Sequence, residues 1–334
     1  MRMRPLGSGG PLVSELALGT MVFGEEGDRG TSTEESIRMI GRYLDAGGNH
    51  IDTANVYAGG RSEEIVGKAI KGHRDEVVLA TKVRFRTGDD EDDEGLSPIQ
   101  IRRAVDASLT RLGTDRIDLL YFHAWDPWAP IEESIGAVAE LVEVGKVAQL
   151  GVSNFKAFQV MKALGVASAQ AGPRLVAAQY QYSLVVRDIE REFTEMCDAE
   201  GLGLVPWGPL GGGFLSGKYE RGDRPATGRI ATQSDGDEEA WERRNTERNW
   251  RIVDQVASIA AGLDVTVPQV ALAWLLTRRS VSSVILGVRT LDQLDDNLAA
   301  LSVDLDESTL DRLDAVSALD EAYPYRFIEA YASR

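Results

Sequence analysis

The feature of this chain that most constrains its fold is a regular alternation of short apolar runs with longer amphipathic segments. Eight runs have the composition of strands, at residues 14–19, 50–52, 77–82, 117–123, 148–153, 174–179, 202–207 and 282–287. Several are apolar at consecutive rather than alternate positions, as in strands that are buried on both faces of a parallel sheet. The alternation therefore predicts an α/β fold made of repeated strand–helix units.

The segments between these runs carry signals for the ends of helices. Ser or Thr stands three positions before Glu or Gln, the spacing of a capping box, in the pairs Ser32–Glu35, Ser97–Gln100, Thr266–Gln269 and Thr290–Gln293. Gly145 and Gly201 lie where helices are expected to end, because glycine accepts the left-handed conformation found there. These signals predict helices between the strands, as the alternation requires.

Two architectures contain this alternation: a doubly wound open sheet and a closed (β/α)₈ barrel. An open sheet that binds a dinucleotide normally carries the motif G-x-G-x-x-G after its first strand. The chain lacks it, because GSGGPL (7–12) and GLGLVP (201–206) both fail at the third glycine. The eight repeats and the length of 334 residues favour a (β/α)₈ TIM barrel. We expect one domain over residues 1–334.

Three segments lie outside the repeat. The opening MRMRPLGSGGPLVS predicts a hairpin that turns at residues 7–10 and could cover the bottom of a barrel. An acidic loop (84–96) and a long insertion (208–245) would lie at the C-terminal mouth, where barrels build their active sites. For the aromatic tail DEAYPYRFIEAYASR, two alternatives stay open: a cover over the mouth or a contact in a homo-oligomer.

The charge of the chain narrows its partners. The formal net charge is −17, from 36 basic and 53 acidic side chains, which argues against nucleic acid or an anionic membrane as a partner. An anionic ligand would therefore need a local basic site. Cys197 is the single cysteine, so no intrachain disulfide can form. No apolar run is long enough for a transmembrane helix or a signal peptide, and we expect a cytosolic protein.

Ionisable side chains stand at the ends of three consecutive predicted strands. Asp52 ends the second, Lys82 the third and His123 the fourth, while Tyr57 lies in the loop after Asp52. Singly, each has an ordinary interpretation as a turn cap, a solvated charge, a packed ring or a core histidine. Together at one mouth they suit proton transfer to a carbonyl oxygen, because an ammonium stabilises a phenolate and a carboxylate keeps that ammonium charged. Such acid–base assistance contributes roughly 10²–10⁴ in rate.

Several long motifs, in order over nearly the whole chain, resemble the aldo-keto reductases. They are GGNHIDTANVYAGGRSEEIVGKAI, SLTRLGTDRIDLLYFHAWDP, GKVAQLGVSNF, QYQYSLVVRDIE, PWGPLGGGFLSGKY and VILGVRTLDQLDDNLAAL. The chain is most similar to the longer-looped bacterial type, which resembles the potassium-channel β subunits. The resemblance implies a barrel that uses NADPH without a Rossmann fold and reduces aldehydes or ketones. It implies that Tyr57 is the general acid, Lys82 and Asp52 its tuning pair, and His123 the substrate-orienting residue.

The resemblance also implies a cofactor site at the mouth. Ser153, Asn154 and Gln179 resemble residues that bind the nicotinamide carboxamide, and Trp207 resembles the aromatic residue on which the nicotinamide ring stacks. The remaining cofactor positions implied are Thr20, Met21, Asp52, Gly208, Pro209, Leu210, Gly213, Lys218, Gly287, Arg289, Gln293 and Asn297.

Two of these positions depart from the pattern of many relatives, and a third bears on cofactor choice. Trp207 stands where many have Tyr, which preserves stacking, and Gly208 stands where many have Ser, which removes a hydroxyl contact to the cofactor phosphate. Arg289 offers a bidentate fork to a 2′-phosphate and would supply the local basic site that the acidic chain requires. NADPH is therefore expected over NADH.

The substrate is the least defined part of the prediction. Trp125 and Trp128 in the segment HAWDPW could line its pocket or serve in packing. No metal site is predicted. Two alternatives to a general carbonyl reductase stay open: an NADPH-binding sensor or regulatory subunit with slow chemistry, and a specialised reductase of a keto-sugar nucleotide.

Overall fold

The computed structural model describes residues 1–27, 30–90 and 93–332. Its strands are β1 (Met3–Pro5), β2 (Leu12–Ser14), β3 (Leu16–Gly19), β4 (His50–Asp52), β5 (Val78–Val83), β6 (Ile117–Phe122), β7 (Val147–Ser153), β8 (Leu175–Gln181), β9 (Gly203–Trp207) and β10 (Val284–Gly287). Its helices are α1 (Thr33–Asp45), α2 (Arg61–Ala69), α3 (Pro98–Leu112), α4 (Ile131–Glu143), α5 (Ala157–Ala169), α6 (Phe193–Glu200), α7 (Arg229–Thr232), α8 (Trp241–Arg244), α9 (Glu247–Leu263), α10 (Val267–Leu276), α11 (Leu291–Leu298), α12 (Glu307–Ser317) and α13 (Tyr325–Ala332).

Strands β3 to β10 form one eight-stranded parallel sheet in the order β10-β3-β4-β5-β6-β7-β8-β9. Its two edges, β9 and β10, meet through a parallel bridge between Leu204 and Val281. There the Leu204 N–H donates to the Ser280 carbonyl and the Ser282 N–H donates to the Leu204 carbonyl, both at 2.9 Å. The sheet is thus a nearly closed (β/α)₈ barrel, and the predicted fold is confirmed.

Each of the eight predicted strands is present, with small differences at the ends. β3 begins at Leu16 rather than at residue 14, because Ser14 pairs with Met3 in the separate hairpin. His123 lies one residue beyond the end of β6, where its N–H still donates to the Val83 carbonyl at 3.0 Å. The polar strand-end residues therefore sit at the mouth as predicted.

The N-terminal hairpin of β1 and β2 lies against the barrel interior. Leu6 and Val13 are fully buried in one apolar cluster with inward-facing residues of the barrel such as Leu119 and Val205. Gly7 has a φ of +66°, and a Cβ there would come within 2.2 Å of the Val176 carbonyl oxygen, so glycine is required at the turn. The hairpin covers the end of the barrel opposite the mouth.

The four predicted N-caps form, but of these four helices only α10 has the reciprocal bond that completes a capping box, from the Thr266 N–H to Gln269 Oε1 at 3.3 Å. Ser32, Ser97, Thr266 and Thr290 each accept a hydrogen bond from the backbone N–H three residues later. At α11 the return bond of the box is replaced, because the Gln293 side chain accepts from the Arg289 N–H at 2.9 Å. Gly201 caps α6 at a φ of 68°, and Gly145 follows α4 at a φ of 76°.

Both long mouth segments follow the predicted strands. In the acidic loop (84–96), Glu91 and Asp92 lie outside the described residues. The insertion (208–245) contains α7, α8 and a 3₁₀ segment at Gly211–Ser216, and packs through a cluster of aromatic rings: Phe214, Tyr219, Trp241 and, from α9, Trp250.

The aromatic tail forms α13, while Ser333 and Arg334 lie outside the described residues. The Tyr325 hydroxyl donates to Glu192 at 2.7 Å, which places the start of this helix beside α6.

In the described part of the chain no single helix is long and apolar enough to cross a membrane. The helices α9 and α10, which are bent by 98° relative to each other, reach that length and apolar composition only when they are taken together.

Candidate active site

A cavity of about 530 Å³ opens at the mouth of the barrel. Tyr57, His123 and Asp52 line it, and Lys82 lies directly behind them. The lining also contains every position that the resemblance assigned to the cofactor: Thr20, Met21, Asp52, Ser153, Asn154, Gln179, Trp207, Gly208, Pro209, Leu210, Gly213, Lys218, Gly287, Arg289, Gln293 and Asn297. The fold thus brings these residues around one space, while their roles as ligands stay predictions.

Lys82 is the centre of the polar cluster. Its ammonium is fully buried and donates to Asp52 Oδ1 at 2.5 Å, to the Thr53 carbonyl at 2.8 Å and to the Tyr57 hydroxyl at 3.1 Å. Burial alone would lower the pKa of Lys82, but the charge of Asp52 and the contact with Tyr57 hold it above its ordinary value. Lys82 is therefore a permanent cation beside the phenol.

The loop after β4 brings Tyr57 back over this cation. Ala58, Gly59 and Gly60 have φ values of 50°, 64° and 93°, so three successive left-handed residues turn the chain sharply into α2. Just inside α2, the Ser62 hydroxyl donates to the Thr20 carbonyl at 2.8 Å, and its oxygen lies within hydrogen-bond distance of two threonine hydroxyls. The position of the phenol is thus fixed by backbone geometry and a buried hydroxyl cluster.

His123 faces the same space as an uncharged imidazole. Burial, helped by the nearby charge of Lys82, holds the pKa of His123 well below its ordinary value. Its Nδ1 has no hydrogen-bond partner among the described residues. The Phe85 ring lies 4.7 Å from the imidazole, and the Tyr57 ring lies 6.0 Å away edge-on. The imidazole therefore packs against two aromatic rings at the wall of the cavity.

Three amide and hydroxyl side chains adjoin the cluster on β7, β8 and the residue after β7. Gln179 Nε2 donates to Asp52 Oδ2 at 2.8 Å, so both oxygens of this carboxylate are satisfied. Ser153 Oγ donates to the Gln179 carbonyl at 2.8 Å, and Asn154 Nδ2 donates to the His123 carbonyl at 2.9 Å. Asn154 itself has a φ of 56°, a left-handed conformation that is uncommon outside glycine and often marks a functional site.

Another part of the cavity is rich in positive charge. Lys218 and Arg289 line it, and burial together with the charge of Arg289 lowers the pKa of Lys218. Arg229 from α7 lines it as well. These three cations belong to the insertion and to the turn between β10 and α11. An anionic ligand of this acidic chain would need such a local basic site.

The cavity lining includes residues that the sequence did not single out, among them Val56, Phe85, Arg229, Glu239 and Asp296. Asp296 directly precedes Asn297, a predicted cofactor residue, so the sequence already indicated this part of the chain. Val56, Phe85 and Glu239 lie in irregular segments and Arg229 begins the four-residue helix α7, so no periodicity shows which way these side chains point.

Trp125 and Trp128, the tryptophans proposed for the substrate pocket, are not among the described residues that line this cavity. Trp125 packs edge-on against Phe155 at 5.2 Å, and Trp128 is 90% exposed. Between them, the buried Asp126 carboxylate accepts from the backbone N–H groups of Leu96 and Trp128 at 2.7 and 3.0 Å. Phe85 is the aromatic side chain that lines the cavity near His123.

Comparison with known proteins gives a consistent picture. The profile of the Aldo/keto reductase family matches residues 15–318. The chain is 34% identical to norsolorinic acid reductase stcV of Emericella nidulans, over 95% of this chain and 81% of that protein. It is 35% identical to a probable voltage-gated potassium channel subunit beta of Oryza sativa, over 98% of each chain. It is 36% identical to an uncharacterized oxidoreductase, YrpG, of Bacillus subtilis, over 93% of this chain and 94% of that protein.

Proposed function

The chain belongs to the aldo/keto reductase family of oxidoreductases, and from this premise we propose that it reduces aldehyde or ketone carbonyls to alcohols with NADPH and with Tyr57 as the general acid. One observation carries the proposal: on the wall of a mouth cavity, the buried Lys82 ammonium contacts both Asp52 and the Tyr57 hydroxyl. A phenol beside a permanent cation is suited to give up its proton.

The residues of the cavity fit a dinucleotide. Ser153, Asn154 and Gln179 present polar groups next to Tyr57, and the half-buried Trp207 offers an aromatic face for a nicotinamide ring. Lys218 and Arg289 would hold the phosphates. When bound, the reduced dinucleotide supplies the hydride that the carbonyl carbon requires.

The proton follows a path that the side chains define. The carbonyl oxygen accepts a hydrogen bond from the Tyr57 O–H, and the phenol proton passes to that oxygen as negative charge develops on it. The phenolate left behind faces the Lys82 ammonium, whose other two donors remain on Asp52 and the Thr53 carbonyl. Lys82 therefore stabilises the phenolate without having to move.

His123 orients the substrate in this scheme. Because the imidazole is neutral at neutral pH, it can donate one N–H to the carbonyl oxygen without competing with Tyr57 as an acid. The carbonyl is thereby held between an acid and a neutral donor.

The test is the oxidation of NADPH in the presence of 4-nitrobenzaldehyde, for the wild type and for Tyr57→Phe. We expect kcat to fall by roughly 10²–10⁴ in this variant, because it lacks the acidic proton. Tyr331→Phe, which alters a phenol on α13 that is 72% exposed, is the matched control and should leave kcat unchanged. Equal turnover by Tyr57→Phe and the wild type would refute the assignment of the acid.

A second candidate function rests on the likeness to the probable potassium channel subunits. It is a dinucleotide-binding regulatory subunit that turns substrates over slowly. The complete polar cluster around Lys82 favours the reductase. A turnover number measured with saturating NADPH and a panel of carbonyl compounds separates the two, because a regulatory subunit would bind NADPH tightly and still turn over slowly with every compound.

A further inference from the structure

A buried carboxylate, Glu239, lies in the wall of the cavity among its cations. Its side chain is 4% exposed, and its Oε2 forms an ion pair with the Arg229 guanidinium. Its Oε1 has no hydrogen-bond partner among the described residues. Buried carboxylates normally satisfy both oxygens, so a half-satisfied one inside a binding cavity requires an explanation.

The backbone around Glu239 is shaped to admit this carboxylate. A Cβ on Gly208 would lie 3.2 Å from Glu239 Oε1, and a Cβ on Gly212 would lie 3.3 Å from it. Both glycines belong to the segment after β9 that the family resemblance assigned to the cofactor phosphates. Gly208 is also the position at which many members of the family have serine. Glu239 therefore projects its unpaired oxygen at the backbone that would hold an anion.

The cations that line this part of the cavity lie close to one another. Arg229 directly follows Gly228, at which a Cβ would lie 3.3 Å from Lys218 Nζ. Lys218 in turn interacts with Arg289, since the charge of Arg289 helps burial to lower the pKa of Lys218. Such a group of like charges is suited to an anion with more than one phosphate.

The position of the pair in the chain limits what it can do. Arg229 and Glu239 both belong to the insertion, so their ion pair does not tie the insertion to the barrel. Separating the two side chains therefore leaves the packing of Ile230, Ala240 and Trp241, all of them buried, in place. The pair can exchange partners while the insertion stays folded.

We infer that Glu239 is a resident counter-ion, which neutralises Arg229 until a phosphate of the dinucleotide takes its place. The inference rests on the proposed dinucleotide site. Nucleotide binding then transfers Arg229 from Glu239 to phosphate, and it must overcome the repulsion between that phosphate and a carboxylate that stays in the wall. Glu239 thus neutralises Arg229 when no nucleotide is bound, and it weakens nucleotide binding.

The test is isothermal titration of NADP⁺ into the wild type, Glu239→Gln and Glu238→Gln. Glu238 is the matched control, because it carries the same charge one residue away but is exposed and does not line the cavity. We expect the Kd of Glu239→Gln to be about tenfold lower than that of the wild type, since one buried like charge has been removed. Glu238→Gln should match the wild type.

Two further ligands locate the effect. The gain should persist with ADP-ribose, which keeps the pyrophosphate, and should be absent with uncharged adenosine. An unchanged or raised Kd for NADP⁺ in Glu239→Gln overturns the inference. An unchanged Kd would mean that Glu239 does not affect binding, and a raised Kd would mean that Glu239 helps to bind the nucleotide.

The variant Arg229→Gln keeps the inference testable if Glu239→Gln does not fold. It should bind NADP⁺ more weakly than the wild type, and equal affinity overturns the transfer of Arg229 to phosphate. If the wild type binds neither NADP⁺ nor NADPH, the proposed function itself is refuted. If the wild type binds and the variants have the same affinity, only the inference about Glu239 and Arg229 is refuted.

Discussion

Two parts of the cavity, the polar cluster around Lys82 and the cationic site around Lys218, are built by different means. The first comes from the ends of strands β4 and β5 and the loop after β4, and Lys82 and Asp52 are both buried with their donors and acceptors in use. The second comes from the insertion and the turn after β10, where Glu239 Oε1 lacks a partner in the described chain.

The difference shows which part is complete before any ligand arrives. The Lys82 cluster is held by strand register and by hydrogen bonds within the protein, so it is preorganised for chemistry. The Lys218 site brings positive charges together, and within the protein Glu239 neutralises only part of that charge. The site is therefore suited to bind an anion. Substitutions in the first part should therefore affect stability and chemistry together, and substitutions in the second should affect mainly nucleotide binding.

The largest effect is expected for Lys82→Met. Removal of the ammonium leaves Asp52 as a buried charge without its ion-pair partner, so the free energy of unfolding should fall by about 3–5 kcal/mol. The kcat should also fall by roughly 10²–10⁴, because the phenolate of Tyr57 loses its cation. Urea unfolding and steady-state kinetics measure the two effects.

The double variant Lys82→Met/Asp52→Asn is the control for this prediction. It removes both charges and should recover part of the lost stability without recovering activity. If stability and activity recovered together, Lys82 would serve only as the neutralising partner of Asp52, and the first part of the cavity would not be a preorganised proton site.

The second effect is a dependence of stability on pH that originates beneath the Lys82 cluster. His50 precedes Asp52 by two residues on β4, and burial lowers its pKa to about 4, a shift that Asp52 opposes and Lys82 assists. The unfolded chain therefore binds a proton below about pH 6.5 that the folded chain refuses. Stability that is present above this pH is lost as the pH falls toward 4, by about 3 kcal/mol for this group.

The variant His50→Gln tests that contribution. It should lose about 3 kcal/mol less unfolding free energy than the wild type between pH 7 and pH 4, measured by urea unfolding at each pH. His73→Gln is the matched control, because the His73 imidazole is exposed and lies within hydrogen-bond distance of Glu76 at the surface. An equal pH dependence for His50→Gln and the wild type would mean that His50 takes up a proton in the folded state.

The same contrast explains what the sequence could predict. Asp52, Lys82 and His123 stand at or next to the ends of strongly patterned strands, so the barrel places them together once the strands are known. The cofactor positions came from the family resemblance and line one cavity. Arg229 and Glu239 could not be predicted, because the position of side chains in an irregular insertion depends on tertiary packing. The packing of Trp125 against Phe155 could not be predicted either, because that contact joins residues 30 positions apart in the sequence.

The third effect concerns the choice between NADPH and NADH. Arg289→Met should raise the Kd of NADPH by about 10–100-fold, since a charge-assisted bidentate contact contributes about 1.5–3 kcal/mol. The Kd of NADH, which lacks the 2′-phosphate, should change little. Arg279→Met, at a side chain that is 91% exposed, is the control for the loss of one positive charge. A parallel weakening of both nucleotides would place Arg289 on a phosphate that they share.

The smallest effects compare one glycine from each part of the cavity. Gly59 and Gly208 have nearly the same φ, 64° and 61°, so Gly59→Ala and Gly208→Ala should each cost about 1 kcal/mol of stability from backbone strain. A Cβ at Gly59 meets nothing within 4 Å, whereas one at Gly208 meets Glu239 Oε1 at 3.2 Å. Any additional loss in Gly208→Ala therefore measures the contact with the carboxylate.

The two glycine variants should also differ in function, although their strain is the same. Gly59→Ala strains the loop that holds Tyr57 over Lys82, so it should lower kcat and leave the Kd of NADP⁺ unchanged. Gly208→Ala pushes on Glu239 beside the cations, so it should change that Kd and leave the rate of the chemical step, measured in a single turnover, unchanged. If both variants changed both quantities, the two parts of the cavity would be coupled, and the separation of chemistry from nucleotide binding would be wrong.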